Sequence, residues 1–205
     1  MSNIQDPRSD FPDLEDLQDE LERVRHRKRT RISLRNLIYA LIVTAAVVIL
    51  LAFLVFPVFR ISGSSMAPTV LEGEIVISFK GSHFECGDVV VLSYSNTKLV
   101  KRVIAGPGEW FDMDRLGNVY VNGEKIDEPY LPEIAYGDCN LKLPYQVPDG
   151  KYFVMGDNRS VSQDSRSTIV GCIPKDQILG KVLFRIWPLS HIGRIDVNSY
   201  SEVEQ

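Results

Sequence analysis

From Leu37 to Phe59 the chain runs for 23 residues without a charged side chain, LIYALIVTAAVVILLAFLVFPVF. As a helix this run would reach about 34 Å at 1.5 Å per residue, enough to cross a hydrocarbon core of roughly 30 Å. It is read as one transmembrane helix over 37–59. A cleaved signal peptide fits less well, because its apolar stretch would be roughly 7–15 residues long and would close on a small-x-small site. This run instead ends Pro57-Val58-Phe59-Arg60. No second apolar run of that length follows, so the chain is expected to cross once. Upstream, Leu14, Leu17, Leu21 and Val24 recur at steps of three and four within a charged stretch, the spacing of a short amphipathic helix.

Beyond Arg60 the period shortens. Runs rich in β-branched and aromatic residues at 74–79, 88–94, 98–105, 118–126, 152–157 and 181–187, each bounded by turn residues, predict strands. Asn122-Gly123, between Val-Tyr-Val and Lys-Ile, predicts a two-residue hairpin turn. Residues 127–150 break the pattern with prolines, glycines and mixed polarity, as an irregular insertion would. The fold class expected is mostly β, a single N-terminal transmembrane helix followed by one β-rich domain over 60–205.

Charge gives this layout a direction. Residues 1–22 hold eight acids against Arg8 alone, while 23–35 hold seven Lys/Arg and no acid. A basic cluster directly before a span keeps that side in the cytoplasm. Residues 1–36 are therefore expected to be cytoplasmic and 60–205 extracytoplasmic, anchored to the lipid membrane of the cell. The net charge is −4, and the domain over 60–205 is mildly acidic, with 19 Asp/Glu against 15 Lys/Arg, so no nucleic-acid partner is expected. Cys86, Cys139 and Cys172 all lie in the exported part, where disulfides persist. A Cys139–Cys172 bridge with Cys86 free is the pairing expected. Neither the cysteines nor His26, His83 and His191 fall at metal-ligand spacings, so no metal is expected.

Three segments could carry chemistry. Ile61-Ser62-Gly63-Ser64-Ser65-Met66-Ala67-Pro68-Thr69-Val70 sets three serines on a tight, partly apolar turn just past the span. A serine nucleophile needs a base within hydrogen-bond reach. His26 falls on the wrong side of the membrane, and His83 and His191 have no orienting carboxylate motif beside them. In Leu99-Val100-Lys101-Arg102-Val103-Ile104-Ala105, strand alternation puts Lys101 with Leu99, Val103 and Ala105, and Arg102 with Val100 and Ile104. Burial among aliphatic side chains favours the neutral amine, a competent general base, whereas a lone lysine on a surface would keep its ammonium in water. The third segment, Met155-Gly156-Asp157-Asn158-Arg159-Ser160-Val161-Ser162-Gln163-Asp164-Ser165-Arg166, is dense in hydrogen-bonding groups and follows a strand directly. It suits either a turn with surface ion pairs or an ordered loop supporting a site.

Taken together, these segments resemble the bacterial type I signal peptidases, Ser/Lys serine proteases of secretion. Ser65-Met66-Ala67-Pro68-Thr69 is similar to the family's serine box. Lys101-Arg102 with Gly106-Pro107-Gly108 is similar to its base box, and Gly156 to Arg159, Ser162 and Asp164 to Arg166 to its last box. The resemblance implies Ser65 as nucleophile, Lys101 as general base and Ser162 as a hydroxyl orienting the amine. Asp157, Asn158, Arg159, Asp164 and Arg166 would support the loop. Ile61, Met66, Val70 and Val100 would line shallow pockets for small side chains of exported preproteins, cleaved after a small-x-small motif. Gly63 stands where some members supply a serine hydroxyl to the oxyanion, so backbone N–H groups including that of Ser65 would carry more of that task. No cofactor is implied, and the enzyme is expected to act as a monomer. A self-cleaving repressor and a processor of one pilus-like substrate use the same residue types. A membrane-tethered β module without catalysis would make the serine box a mere turn.

Overall fold

The computed structural model describes residues 14–195 apart from Ser82 and Asn96, and the chain divides into two compact units at Ala52/Phe53. The N-terminal unit is helical. Helix α1 runs from Leu14 to Val55 without interruption, so the short helix expected around Leu14 to Val24 is the start of a longer one. The side chains of Leu14, Leu17, Leu21 and Val24 lie outside the described residues. Within α1, Ser33–Val55 has a mean hydropathy of 3.0, and none of its apolar window is buried in protein. An all-round apolar helix of that length with no protein partner is suited to lipid.

The helix stops four residues short of the expected 37–59 span. Pro57 lacks an N–H and disfavours helical backbone in the residue before it. Val58 and Phe59 then enter strand β1 (Val58–Arg60) rather than continuing the helix. Phe59 is buried in the core of the β unit.

The second unit holds two antiparallel sheets. The larger is built from β1, β2 (Ile75–Phe79), β3 (Val89–Tyr94), β4 (Thr97–Ala105), β9 (Lys151–Met155), β10 (Ile173–Pro174), β11 (Ile178–Trp187) and β12 (Gly193–Arg194). Its order is β1-β2-β11-β3-β4-β9-β10, with β12 on β11. The smaller, β7-β6-β5-β8, comprises β5 (Trp110–Met113), β6 (Val119–Val121), β7 (Glu124–Lys125) and β8 (Tyr145–Gln146). All six predicted strand runs are strands. The hairpin turn takes φ of 54° at Asn122 and 83° at Gly123, the positive values that asparagine and glycine tolerate best. Apart from β8, the insertion is irregular, as expected.

The core explains the strand sequences. Val89 and Val91 of β3 enter one buried cluster with Phe59, Ile61, Met66, Val70 and Val76. Val90 and Leu92 enter another, on the opposite face, with Val103, Tyr152 and Val154. A strand covered on both faces reads as a continuous apolar run, which is why DVVVLSY lacks alternation. A third cluster joins the sheets, where Phe111 of the small sheet stacks on Phe153 of the large one with ring centroids 4.0 Å apart. The expected Cys139–Cys172 bridge is not formed, and all three cysteines are free thiols. Among the described residues no group of three His, Cys, Asp or Glu converges as a metal site would require.

Candidate active site

The serine segment forms a turn over the first core cluster. Ala67 N–H donates to the Ser64 carbonyl at 3.2 Å, and Val70 N–H to the Met66 carbonyl at 3.0 Å. Ile61, Met66 and Val70 are buried beneath it, and Val100 packs partly exposed against the same cluster. The four expected pocket residues thus do meet, but Met66 and Val70 form a floor under the turn and only Val100 keeps appreciable surface. Arg185 of β11 pins the far end of the turn, donating from Nη2 to the Thr69 carbonyl at 3.0 Å and from Nη1 to Glu74 Oε1 at 2.7 Å.

Lys101 lies on β4, in the middle of the large sheet, opposite Val90. It is 3% exposed, and its Nζ donates to Ser162 Oγ at 2.8 Å. Burial pulls its pKa down from 10.5 to about 8; the nearby Asp164 and Asp157 carboxylates oppose the fall and the Arg166 cation adds to it. Leu99 and Val103 share one cluster, as alternation predicts. Ala105 does not follow, because a bulge against β9 between Val103 and Ala105 turns it into the third cluster beside Ile104.

The loop from Gly156 to Arg166 joins the other two segments. Asn158 N–H donates to the Ser65 carbonyl at 3.0 Å. Gly156 packs so tightly that an added Cβ would overlap both Ser162 Oγ and the Ser65 carbonyl oxygen, so only glycine lets these groups approach. Asp164 accepts from Gly156 N–H at 3.1 Å and from Arg166 Nε at 2.8 Å and Nη2 at 2.9 Å. Although burial raises the Asp164 pKa, the Arg166 hydrogen bonds outweigh it and hold the carboxylate below its usual range. Arg166 also reaches the carbonyls of Tyr136 and Arg159, closing the loop on itself. Arg159 pairs with Glu128.

Ser65, Lys101, Ser162, Asp157, Asn158, Arg159, Asp164 and Arg166 are therefore assembled around one loop. The Ser65 hydroxyl and the Lys101 amine are not hydrogen-bonded to each other, a spacing that often tightens only when substrate binds. Both remaining histidine candidates, His83 and His191, are exposed on the surface. The arrangement offers an amine that burial makes easier to deprotonate, a hydroxyl that accepts from it and a serine on a hydrogen-bonded turn, the parts needed for acyl transfer.

Several residues of the assembly were given no role from the sequence. Arg102 is fully buried and grips Asp157 twice, Nε to Oδ1 at 2.9 Å and Nη2 to Oδ2 at 2.7 Å. Thr69 Oγ1 donates to the same Asp157 Oδ2 at 2.6 Å, so one carboxylate ties the serine turn to the base strand. A sequence signal existed for Arg102: an arginine amid aliphatic positions of a strand needs a buried acid. No role for Glu128 or Tyr130 could be read from the sequence, because their partners lie some 30 residues away.

Residues 34–187 match the family model described as "Signal peptidase, peptidase S26". Signal peptidase IB of Staphylococcus aureus is 43% identical over 158 residues, 67% of this chain and 81% of that protein. Signal peptidase I of Bacillus licheniformis is 36% identical over 177 residues, 80% of this chain and 94% of that one. A crystal structure of a signal peptidase I from Enterococcus faecalis is 28% identical and covers 48% of this chain and 96% of that one, with a TM-score of 0.42. With most of its length matched by the family model and by relatives at this identity, the chain belongs to the signal peptidase family, the serine endopeptidases of peptidase S26 that remove signal peptides.

Proposed function

We propose that this signal peptidase cuts exported preproteins by a Ser/Lys acyl-enzyme mechanism, with Ser65 as nucleophile and Lys101 as its base. The observation that carries this reading is the buried Lys101 amine held 2.8 Å from Ser162 Oγ on the loop that also holds the Ser65 turn. The neutral amine takes the Ser65 proton as Oγ attacks the scissile carbonyl, and returns it to the departing amine of the mature chain. Ser162 fixes the amine lone pair. Backbone N–H groups of the serine turn, that of Ser65 included, receive the developing oxyanion in place of the hydroxyl that Gly63 lacks. The acyl-enzyme is then hydrolysed by water activated by the same amine. No step calls for a metal or cofactor.

Small residues before the cut are favoured because the apolar surface beside the serine is shallow, with Val100 at the surface and Ile61, Met66 and Val70 behind it. An extended substrate would pair with a strand edge. One molecule carries every group this chemistry needs, so the monomer suffices. Ser162→Ala tests the arrangement: it should lower kcat by about 10²-fold, the loss typical of a misoriented base, with the protein still folded. An unchanged kcat would remove Ser162 from the mechanism.

The basic cluster at residues 23–35 supports a cytoplasmic N-terminus, the span near 33–55 and an extracytoplasmic protease unit over 60–205. A second feature supports a membrane position. Val58, Ile77 and Phe184 stand in register across β1, β2 and β11 on one face, where Phe79 and Trp187 are also exposed, and Leu189 and Ile192 follow them. Such a cluster of large exposed apolar side chains suits the bilayer interface, and tryptophan most of all. The chain has two tryptophans, so Trp110→Phe leaves Trp187 as the sole reporter. In lipid vesicles its fluorescence should be quenched by brominated lipid, whereas Trp110 in the Trp187→Phe protein should not be. Equal quenching of the two would contradict this placement.

A further inference from the structure

We infer that the insertion is a working part of the site: residues 127–143 act as a strap, and Glu128 is a positioning residue that sets the distance between Ser65 and the Lys101–Ser162 pair. This rests on the Ser/Lys reading above and adds a group to it.

Three arginines lie buried in the catalytic assembly, Arg102, Arg159 and Arg166, each at most 2% exposed. A buried cation is tolerated only with a paired, hydrogen-bonded anion. Arg102 takes Asp157 and Arg166 takes Asp164, both from the loop itself. Arg159 has its counter-charge from outside the loop, in Glu128 of the insertion. The pair is two-pronged, Arg159 Nη1 to Glu128 Oε2 at 3.1 Å and Nη2 to Oε1, the geometry that fixes direction as well as charge. Burial disfavours the Arg159 charge, but the Glu128 carboxylate more than compensates and raises its pKa.

The rest of the strap reinforces this contact. Tyr130 Oη donates to Glu128 Oε1 at 2.8 Å, and its ring covers the Arg102 guanidinium at 3.6 Å from the centroid. The Tyr136 carbonyl accepts from Arg166 Nη1 at 2.8 Å, and Asn140 N–H donates to the Arg166 carbonyl at 3.2 Å. Gly137 has φ of 62° and no room for a Cβ against Arg159 and Arg166. One 17-residue stretch thereby touches all three buried arginines.

The link to the chemistry runs through Gly156. Arg159 Nε donates to the Gly156 carbonyl at 3.2 Å, and Gly156 is the residue against which both Ser162 Oγ and the Ser65 carbonyl pack. With Glu128 neutral, Arg159 loses its paired carboxylate, the largest of the groups that favour its buried charge, and is drawn toward water. The Gly156 peptide then loses the contact that holds it on its carbonyl side. Displacement of reacting groups by about 1 Å costs on the order of 10²-fold in rate, whereas the shallow substrate surface around Val100 is untouched.

The test is Glu128→Gln in the full-length protein in detergent or lipid, assayed with a preprotein and normalised to folded enzyme well below its melting temperature. We expect kcat to fall roughly ten- to a hundredfold with KM changed by less than about twofold. A strap that merely stabilised the fold would lower the melting temperature and leave kcat per folded molecule at the wild-type value, and that result would overturn the inference. Should Glu128→Gln fail to fold, Tyr130→Phe decides the matter: it keeps the ring on Arg102 and removes only the hydroxyl from Glu128. It should lower kcat by about two- to fivefold at constant KM, and an unchanged kcat would overturn the inference. If the Ser/Lys reading itself were wrong, Lys101→Arg would retain activity. If only the strap were wrong, Lys101→Arg would be inactive while both strap variants kept the wild-type kcat.

Discussion

Lys101→Arg should lose preprotein cleavage by at least about 10³-fold, although it keeps the positive charge and most of the length of the side chain. Serine cannot pass its proton to a group already carrying all of its own, and a guanidinium with a pKa above about 12 never becomes a base at working pH. The loss expected when a general base is removed from a coupled set is of this size. A lysine kept only as an ion-pair partner would tolerate the exchange in part. In the wild type, cleavage should rise with pH through an acid limb centred near 8, the value to which burial lowers the amine.

The same shift has a sign for stability. The folded state binds the Lys101 proton less readily than the unfolded chain, whose amine titrates near 10.5. The contribution is therefore fully present above about 10.5, is lost as pH falls toward 8, and stays lost below 8. A change from 10.5 to about 8 corresponds to roughly 3 kcal/mol. Lys101→Met, inactive, should accordingly melt at a higher temperature than the wild type near neutral pH, with the gap closing toward pH 10.5. Thermal unfolding of the two proteins across that range reads this directly, and a gap independent of pH would show that the amine is not desolvated in the folded state. A gap that closes toward pH 10.5 would make Lys101 a group for which stability is given up in favour of function.

The strands carrying the site could be read from the sequence because their residues answer to one local rule, a β-rich run ended by turn residues. β3 and β4 are of this kind. The short strands β1, β5, β8, β10 and β12 could not, since each is two to four residues long and forms only because a partner strand is present. Pro57 was visible, yet its consequence, an apolar Val58-Phe59 diverted into a sheet, depended on β2 lying alongside. At the site, the serine turn, Lys101 and the Gly156–Arg166 loop were found through their ordered boxes. Their mutual ties through Thr69, Arg102 and Asp157 follow from burial, which a sequence shows only as an unexplained charge on an apolar strand. No role for Glu128 or Tyr130 could be read, because the acid that neutralises Arg159 is chosen by how the insertion folds back.

Ser65→Ala should be the most damaging substitution of all, and the least damaging to the fold. The hydroxyl makes no hydrogen bond to the Lys101 amine, while the turn is held by backbone contacts that alanine keeps, Asn158 N–H to the Ser65 carbonyl among them. Stability should therefore change by less than about 0.5 kcal/mol, the usual range for a substitution that breaks no buried contact. Cleavage should vanish, because without Oγ there is no acyl-enzyme, and neither Lys101 nor Ser162 can stand in as nucleophile. The neighbouring Ser64→Ala leaves Oγ of Ser65 in place and should retain much of the wild-type rate. The decisive measurement is preprotein cleavage by the purified full-length Ser65→Ala and Ser64→Ala proteins, each shown to be folded. Abolished cleavage in the first with substantial cleavage in the second is the outcome this mechanism requires; turnover by folded Ser65→Ala, or its loss in Ser64→Ala instead, would contradict it.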